Sequence, residues 1–584
     1  MFNYFSVTSE INERYNMDYP SIHFTDNLRI SHDIFKRNSN EDQNIDVIYN
    51  NTIWNDLNIF SVDGVFSKIN YCHTFIGYFL KSYYLVKPVQ NKYRIDIIKY
   101  LIENPDIFNK IDKLLLNTSI LEKQIYNNYP FKEIKSNRIC FYSNSYLKKF
   151  NNYYLLILLG NIYRIIIQPI YIIFSPLLCI ITPFFLLRYK LGLNIKIDIY
   201  IKIIINVIPN IISQFDNRKS IWFYLTTITS IVLYINSVYN EIYNVLNLIK
   251  TQNAIKYNLT LCDKLILSVK QIYNLVKSKI KNKTHFKLPN DSTICSISDN
   301  YLVKYWDIIN NHSTFLDEWI LLLGEFDILL SIVKYYKICS FKNLDICFSS
   351  VNKNKKAYLY ANNFYHPNLI GKKKNIVYNS IELGGTLLKR NIIITGPNAC
   401  GKTMIIKSLT INLLLSNAFG IANSNIFIHS HYDHIYTHFR IKDIIGTSSL
   451  FETEVKQISN FIDNIGNKSF LIIFDELFTS TSELEGVSCA YAVAKILGNK
   501  PNGNTLITTH YHYLTKLGKS FINTYVDCQL SNKKIVFNYK LKLGISFTNI
   551  ALLLLPSNLL TEQSTKILNK IKKSKFNYIN KIGI

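Results

Sequence analysis

"NIIITGPNACGKTMIIKSL", from Asn391 to Leu409, is the stretch whose reading decides the fold. "NIIIT" reads as a short strand buried on both faces, because its apolar residues run on without alternating. Gly396 to Thr403 then fits G-x-x-x-x-G-K-[ST], and "TMIIKSLTINLLL" reads as a helix. Strand, glycine loop and helix in that order make a phosphate cradle. The glycines let backbone N–H groups point into one concavity, and the helix N-terminus adds partial positive charge. The candidate nucleotide-binding residues are Gly396, Pro397, Asn398, Ala399, Cys400, Gly401, Lys402 and Thr403. Lys402 is expected to reach the β- and γ-phosphates of ATP, and the Thr403 hydroxyl to ligate Mg²⁺.

Downstream, "FLIIFDEL" (Phe470 to Leu477) reads as a buried strand ending in two adjacent carboxylates. Neighbouring residues on a strand point to opposite faces, so the two can take different roles. Asp475 is expected to hold the magnesium and Glu476 to polarise the attacking water. "TLITTHYHYL" (Thr505 to Leu514) adds a further strand ending in Thr-Thr-His-Tyr. If that strand lies beside the first two, His510 faces the γ-phosphate and acts with Glu476 and Lys402 as a catalytic candidate. An ordinary strand-end histidine fits the same string.

These residues together resemble the MutS family of mismatch-repair ATPases. Thr395 to Thr403 reads "TGPNACGKT", with Pro397 and Asn398 in the family's T-G-P-N-x-x-G-K-[ST] form. Asp475 to Gly486 reads "DELFTSTSELEG" and matches D-E-x-x-x-G-T-S-x-x-x-G through Asp475, Glu476, Thr481, Ser482 and Gly486, with Ser480 where the family has glycine. "GTSSLFETEV" is similar to its S-x-F-x-x-E signature through Ser449, Phe451 and Glu454. In the family, as in ABC ATPases, that signature faces the partner subunit's nucleotide. The resemblance therefore implies a homodimer, or a dimer with a related subunit, that has composite sites and acts on DNA. "YHPN" (His366, Pro367), "EFDILLSIVKYY" around Asp327 and "GISFTNIALLLLPSNLL" (Gly544 to Leu560) also resemble family segments. The likeness runs from about Gly324 to Lys570. No segment before residue 150 resembles the mismatch-reading module with its Phe-x-Glu wedge.

The expected fold class is an α/β P-loop ATPase domain of ABC type at 350–584. An α-helical core or lever region is expected before it at 241–345, and an apolar region with candidate membrane helices at 153–240. Residues 1–152 read as mixed and helical, of unknown role, with "YRIDIIKYLIENPDIFNKIDKLL" (Tyr93 to Leu115) forming one or two amphipathic helices. From Ile165 to Leu187 there is no charge, and prolines recur at Pro169, Pro176 and Pro183. The length suits a membrane crossing. Ile221 to Asn240 is a second uncharged run. Both runs also fit buried core elements. The loop between them carries Arg188, Lys190, Lys196, Lys202, Arg218 and Lys219, which the positive-inside rule would hold in the cytosol.

The chain has 584 residues, 48% of them hydrophobic, and a formal charge of +26. That size allows roughly three or four domains. A basic chain ordinarily points to nucleic acid or an anionic membrane. Here 42 Tyr against 3 Met, with abundant Asn, Ile and Lys, suggests AT-rich coding that raises lysine everywhere. The ten cysteines form no C-x-x-C pair and read as reduced thiols. The N-terminal "MFNYFSVTSE" has no signal-peptide character. Three functions fit: a MutS-family ATPase working on DNA in the cytoplasm; a membrane-associated mechanochemical ATPase of the same ancestry with its ATPase domain in the cytosol; and an ABC-type transporter. The absence of an L-S-G-G-Q string disfavours the third.

Overall fold

The computed structural model describes residues 47–127 and 313–546, apart from 51, 62, 89–91, 353–356, 372–375, 385–389, 440–449, 519 and 532–533; elsewhere only residues 189, 267, 566 and 570 are described. The elements in chain order begin with β1 (Ile48–Tyr49), α1 (Ile53–Asp56), α2 (Val65–Ile69), α3 (Phe75–Val86), α4 (Lys92–Glu103) and α5 (Pro105–Asn127). They resume with α6 (Ser313–Phe341), β2 (Cys347–Phe348), β3 (Ser350–Asn352), β4 (Leu359–Phe364), β5 (Asn379–Leu383) and β6 (Asn391–Thr395). Then come α7 (Lys402–Phe419), β7 (Ile421–Ala422), β8 (Ile426–Ser430), β9 (His434–His438), α8 (Leu450–Ile465) and β10 (Phe470–Asp475). The last are α9 (Glu483–Asn499), β11 (Gly503–Thr508), β12 (Phe521–Ser531) and β13 (Lys534–Leu543).

The main sheet has seven strands in the order β1-β9-β10-β11-β6-β12-β13. All neighbours are parallel except the β12–β13 hairpin at one edge. β6, β10 and β11 lie side by side in the middle, where both faces are covered; β6 and β10 carry continuous apolar runs, whereas β11 also buries Asn504, Thr505 and Thr508. A four-stranded sheet, β3-β8-β4-β5, lies beside them. α7, the helix that follows the phosphate loop, is buried along most of its length, with Thr410, Asn412, Ser416 and Asn417 buried among its leucines and isoleucines. It packs against β4 and β7 from the C-terminal α/β region and against α3 from the N-terminal part.

The sequence from Tyr93 to Leu115 forms two helices. α4 ends at Glu103, and Pro105 opens α5 at the first helical position, where its missing N–H costs nothing. Residues 47–127 share one hydrophobic core with the C-terminal α/β region. β1 extends the main sheet by pairing Ile48 with His434 and Tyr49 with Ile435. The Asn50 amide then donates to the Thr437 carbonyl (2.5 Å) and accepts from the Thr437 N–H (3.1 Å).

α3 and α6 approach closely at two glycines. A Cβ on Gly324 would lie 2.7 Å from Leu80 Cδ1, and one on Gly77 would collide with the Asp327 side chain. The absence of Cβ lets Asp327 reach the N-terminus of α3. There it accepts from the N–H groups of His73 (3.1 Å) and Thr74 (2.7 Å) and from the Thr74 hydroxyl (2.6 Å). Thr74 Oγ1 also caps α3 by accepting from Gly77 N–H (3.1 Å).

In the same joint the buried Lys81 ammonium donates to the Ile69 carbonyl and Ser331 Oγ, at 2.7 Å each. Burial pushes its pKa down from 10.5 to about 8. Between pH 8 and 10.5 the unfolded chain therefore holds a proton that the folded chain has lost. This group's contribution to stability rises with pH across that window. Lys81→Met should flatten the dependence of the urea midpoint on pH between those limits, and an unchanged slope would refute the assignment.

None of the described helices is long and apolar enough to cross a membrane. The uncharged runs at 165–187 and 221–240 lie outside the described residues, as do residues 241–312 of the expected helical region apart from 267, and residues 547–560. His366 of "YHPN" accepts the Asn368 N–H on Nδ1 (3.1 Å) and starts a single tight turn, Pro367–Leu369.

Candidate nucleotide-binding site

β6 delivers the phosphate loop to the C-terminal edge of the main sheet, the usual ligand position in parallel α/β folds. The loop turns through left-handed backbone at Ala399 (φ 63°) and Gly401 (φ 99°). At Gly401 glycine is needed twice over, since a Cβ would also sit 2.9 Å from the Tyr539 ring. Gly401 precedes the first turn of α7, which no side chain caps, so its N–H groups face the loop.

Lys402 opens α7 and is buried. Its ammonium donates to the carbonyls of Gly396 (2.9 Å) and Pro397 (3.1 Å), lies 3.1 Å from His510 Nε2 and 3.8 Å from Glu476 Oε1. Burial holds its pKa below the ordinary lysine value, against the opposing effect of nearby Glu476 and Asp475.

β10 and β11 run in register, with Asp475 opposite Thr508. Asp475 Oδ1 accepts from the Thr508 hydroxyl (2.5 Å) and Oδ2 from the Thr403 hydroxyl (2.8 Å). The Thr403 hydroxyl and the Asp475 carboxylate, meeting beside the phosphate loop, are hard oxygen donors of the kind Mg²⁺ takes together with phosphate oxygens and water.

Strand alternation alone would send Glu476 to the opposite face from Asp475. The strand ends first: Glu476 adopts a left-handed backbone (φ 59°), with its N–H on the Thr508 carbonyl (3.1 Å). Both carboxylates consequently come to the phosphate-loop side. Glu476 Oε1 lies 2.8 Å from His510 Nε2, so His510 sits between Glu476 and Lys402.

The signature residues are placed differently from one another. Ser449 lies outside the described residues. The Phe451 ring packs on Phe478, with centroids 5.6 Å apart. Glu454 turns into its own chain: Oε1 accepts from the Phe478 N–H (2.8 Å) and lies 3.2 Å from His438 Nε2, while Oε2 is 3.4 Å from Ser480 Oγ. The left-handed residues of this loop are Glu476 and Phe478 (φ 54°), so Ser480 needs no glycine. The glycine that is required is Gly486, where a Cβ would lie 2.5 Å from the Phe478 carbonyl and 2.6 Å from Tyr511 Oη.

Three residues that hold this site were not singled out from the sequence: Thr508, His438 and Tyr511. Thr508 and Tyr511 flank His510 in a string already read as functional. The strand register β10–β11 is the signal that would have found Thr508.

The family model described as MutS domain V matches residues 392–571. The DNA mismatch repair protein MutS of Fusobacterium nucleatum is 30% identical over 200 residues, which are 33% of this chain and 22% of that protein. The MutS of Caldicellulosiruptor bescii is 32% identical over 226 residues, 35% of this chain and 25% of the relative. The DNA mismatch repair protein Msh3 of Dictyostelium discoideum is 29% identical over 261 residues, 39% of this chain and 18% of the relative. The matched part thus spans about a fifth of each relative's length.

Proposed function

We propose that this chain, whose C-terminal ATPase region belongs to the MutS family, binds and hydrolyses ATP with Mg²⁺ and couples that cycle to DNA in a mismatch-repair-like process. The observation that carries the hydrolytic reading is the meeting of Lys402, Thr403, Asp475, Glu476 and His510, each linked to another by a contact of 3.8 Å or less. In this reading the loop amides and the start of α7 bind the β- and γ-phosphates, and Lys402 leaves the Gly396 and Pro397 carbonyls to neutralise their charge. Thr403 and Asp475 hold the magnesium ion, which supplies further charge neutralisation when bound. Glu476 orients the attacking water and takes its proton, and His510 holds the Glu476 carboxylate in line. Two copies, or one copy with a related subunit, complete the site through Ser449.

DNA is the partner to test. Turnover should rise with heteroduplex DNA above its rate with perfectly paired duplex, measured across a salt series because a basic chain binds DNA weakly by charge alone. Equal rates with both duplexes would remove mismatch recognition and leave the ATPase reading intact. A second reading, a membrane-anchored mechanochemical ATPase, is favoured by the uncharged run from Ile165 to Leu187. Release of this chain from membranes by carbonate would end it.

A further inference from the structure

We propose that Glu454, held by His438, is a positioning residue acting within its own chain: it fixes the Phe478 peptide and so keeps the Glu476 carboxylate on the phosphate-loop side. The inference rests on the hydrolytic reading above. It departs from the expectation that the signature as a whole serves the partner's nucleotide.

The loop after β10 holds two non-glycine residues in the left-handed region, Glu476 and Phe478, a conformation that persists only where surroundings enforce it. What enforces it at Phe478 is visible on both sides of the residue. Its N–H donates to Glu454 Oε1 (2.8 Å) and its carbonyl accepts from Tyr511 Oη (2.9 Å). Its ring lies against Phe451, one turn before Glu454 on α8.

Glu454 is itself constrained. Its side chain is 8% exposed and sits opposite His438, which is 6% exposed at the end of β9. A carboxylate this buried needs partners for both oxygens, and it has them: the Phe478 N–H and His438 on one, Ser480 on the other. All of these partners belong to its own chain. Ser480, the departure from the family's glycine, adds to the same brace.

The consequence lies two residues upstream. Glu476 needs φ near 59° to bring its carboxylate to His510, and its own N–H is anchored on Thr508. Release of Phe478 lets the loop relax toward ordinary backbone and carries the carboxylate away. The pair His438–Glu454 therefore ties the end of β9 to the loop after β10.

The test uses the full chain. Glu454→Ala should keep its ATP Kd within about twofold while kcat falls about 100-fold, the scale of a small misplacement of a reacting group. Glu454→Gln retains an acceptor for the Phe478 N–H and should recover most of the rate. Deuterium uptake by the peptide spanning 476–480 should quicken in Glu454→Ala, and unchanged uptake overturns the proposal. Tyr511→Phe, which removes one hydroxyl from the same clamp, gives the same reading if the alanine variant does not fold.

Mixing separates the two roles. Glu454→Ala mixed with Glu476→Gln leaves one lesion in every site if Glu454 acts in its own chain, so the mixture stays inactive. Regained turnover would mean that Glu454 serves the partner, and would overturn the proposal. Lys402→Ala mixed with Ser449→Ala is the control, expected to regain activity at one composite site. Should the control also stay inactive, the composite-site reading fails and deuterium uptake decides the clamp. Absence of turnover in the unaltered protein would remove the hydrolytic reading, and uptake would still report whether Glu454 holds the loop.

Discussion

Glu476→Gln should leave ATP bound and lower turnover about 1000-fold, within the range a positioned general base supplies. The substitution keeps the side chain's shape beside His510, 2.8 Å away, and removes the basicity of the carboxylate. It also removes a negative charge 3.8 Å from Lys402, so nucleotide affinity should hold or rise. Equilibrium titration with labelled ATP and a phosphate-release assay separate binding from chemistry. Turnover at the unaltered rate would show that Glu476 is not the base, with His510 next to be replaced. Lys402→Ala provides the contrast: it should abolish binding itself, because the loop then loses its buried cation.

The second large effect concerns a pair that makes no part of the candidate site. Arg94 on α4 and Glu325 on α6 form a two-point ion pair whose side chains are 3% and 1% exposed. Arg94 Nε donates to Glu325 Oε1 and Nη2 to Oε2 at 3.1 Å, while the guanidinium lies 4.3 Å from the Tyr84 ring centroid. Removing one partner strands the other charge in the core, so Arg94→Ala should cost about 3–5 kcal/mol of stability. The double replacement Arg94→Met with Glu325→Leu should recover most of that loss, since the desolvation cost of both charges goes with the pair. Denaturant midpoints of the three proteins check the pattern. A shift under about 1 kcal/mol for Arg94→Ala would place the pair among the weak surface kind.

Much of the site was legible because its parts are local strings. A phosphate loop needs its glycines, lysine and threonine within a few residues of one strand end, so "TGPNACGKT" carries nearly all of its own geometry. "FLIIFDEL" announces a buried strand and two carboxylates in the same way. The direction taken by Glu476 was not legible, since strand alternation predicts the opposite face and a left-handed residue overrides it. Glu454 lay in a string whose expected task was toward a partner, whereas its hydrogen bonds reach Phe478, 24 residues on. The joint between residues 47–127 and the C-terminal α/β region gave no sequence signal either. It depends on one asparagine meeting a strand 387 residues away and on glycines that matter only where two helices touch.

The sequence by itself carried the phosphate-loop and carboxylate strings and the likeness of residues 392–571 to MutS domain V, because those depend on residue types at short, nearly invariable spacings. Tertiary structure decided which side chains support that chemistry. Thr508 faces Asp475 through strand register, His438 meets Glu454 across the end of β9, and β1 completes a sheet built from the far end of the chain. Hydrogen-bond partners that come from different strands and helices are set by packing of the whole core, and no local pattern encodes them.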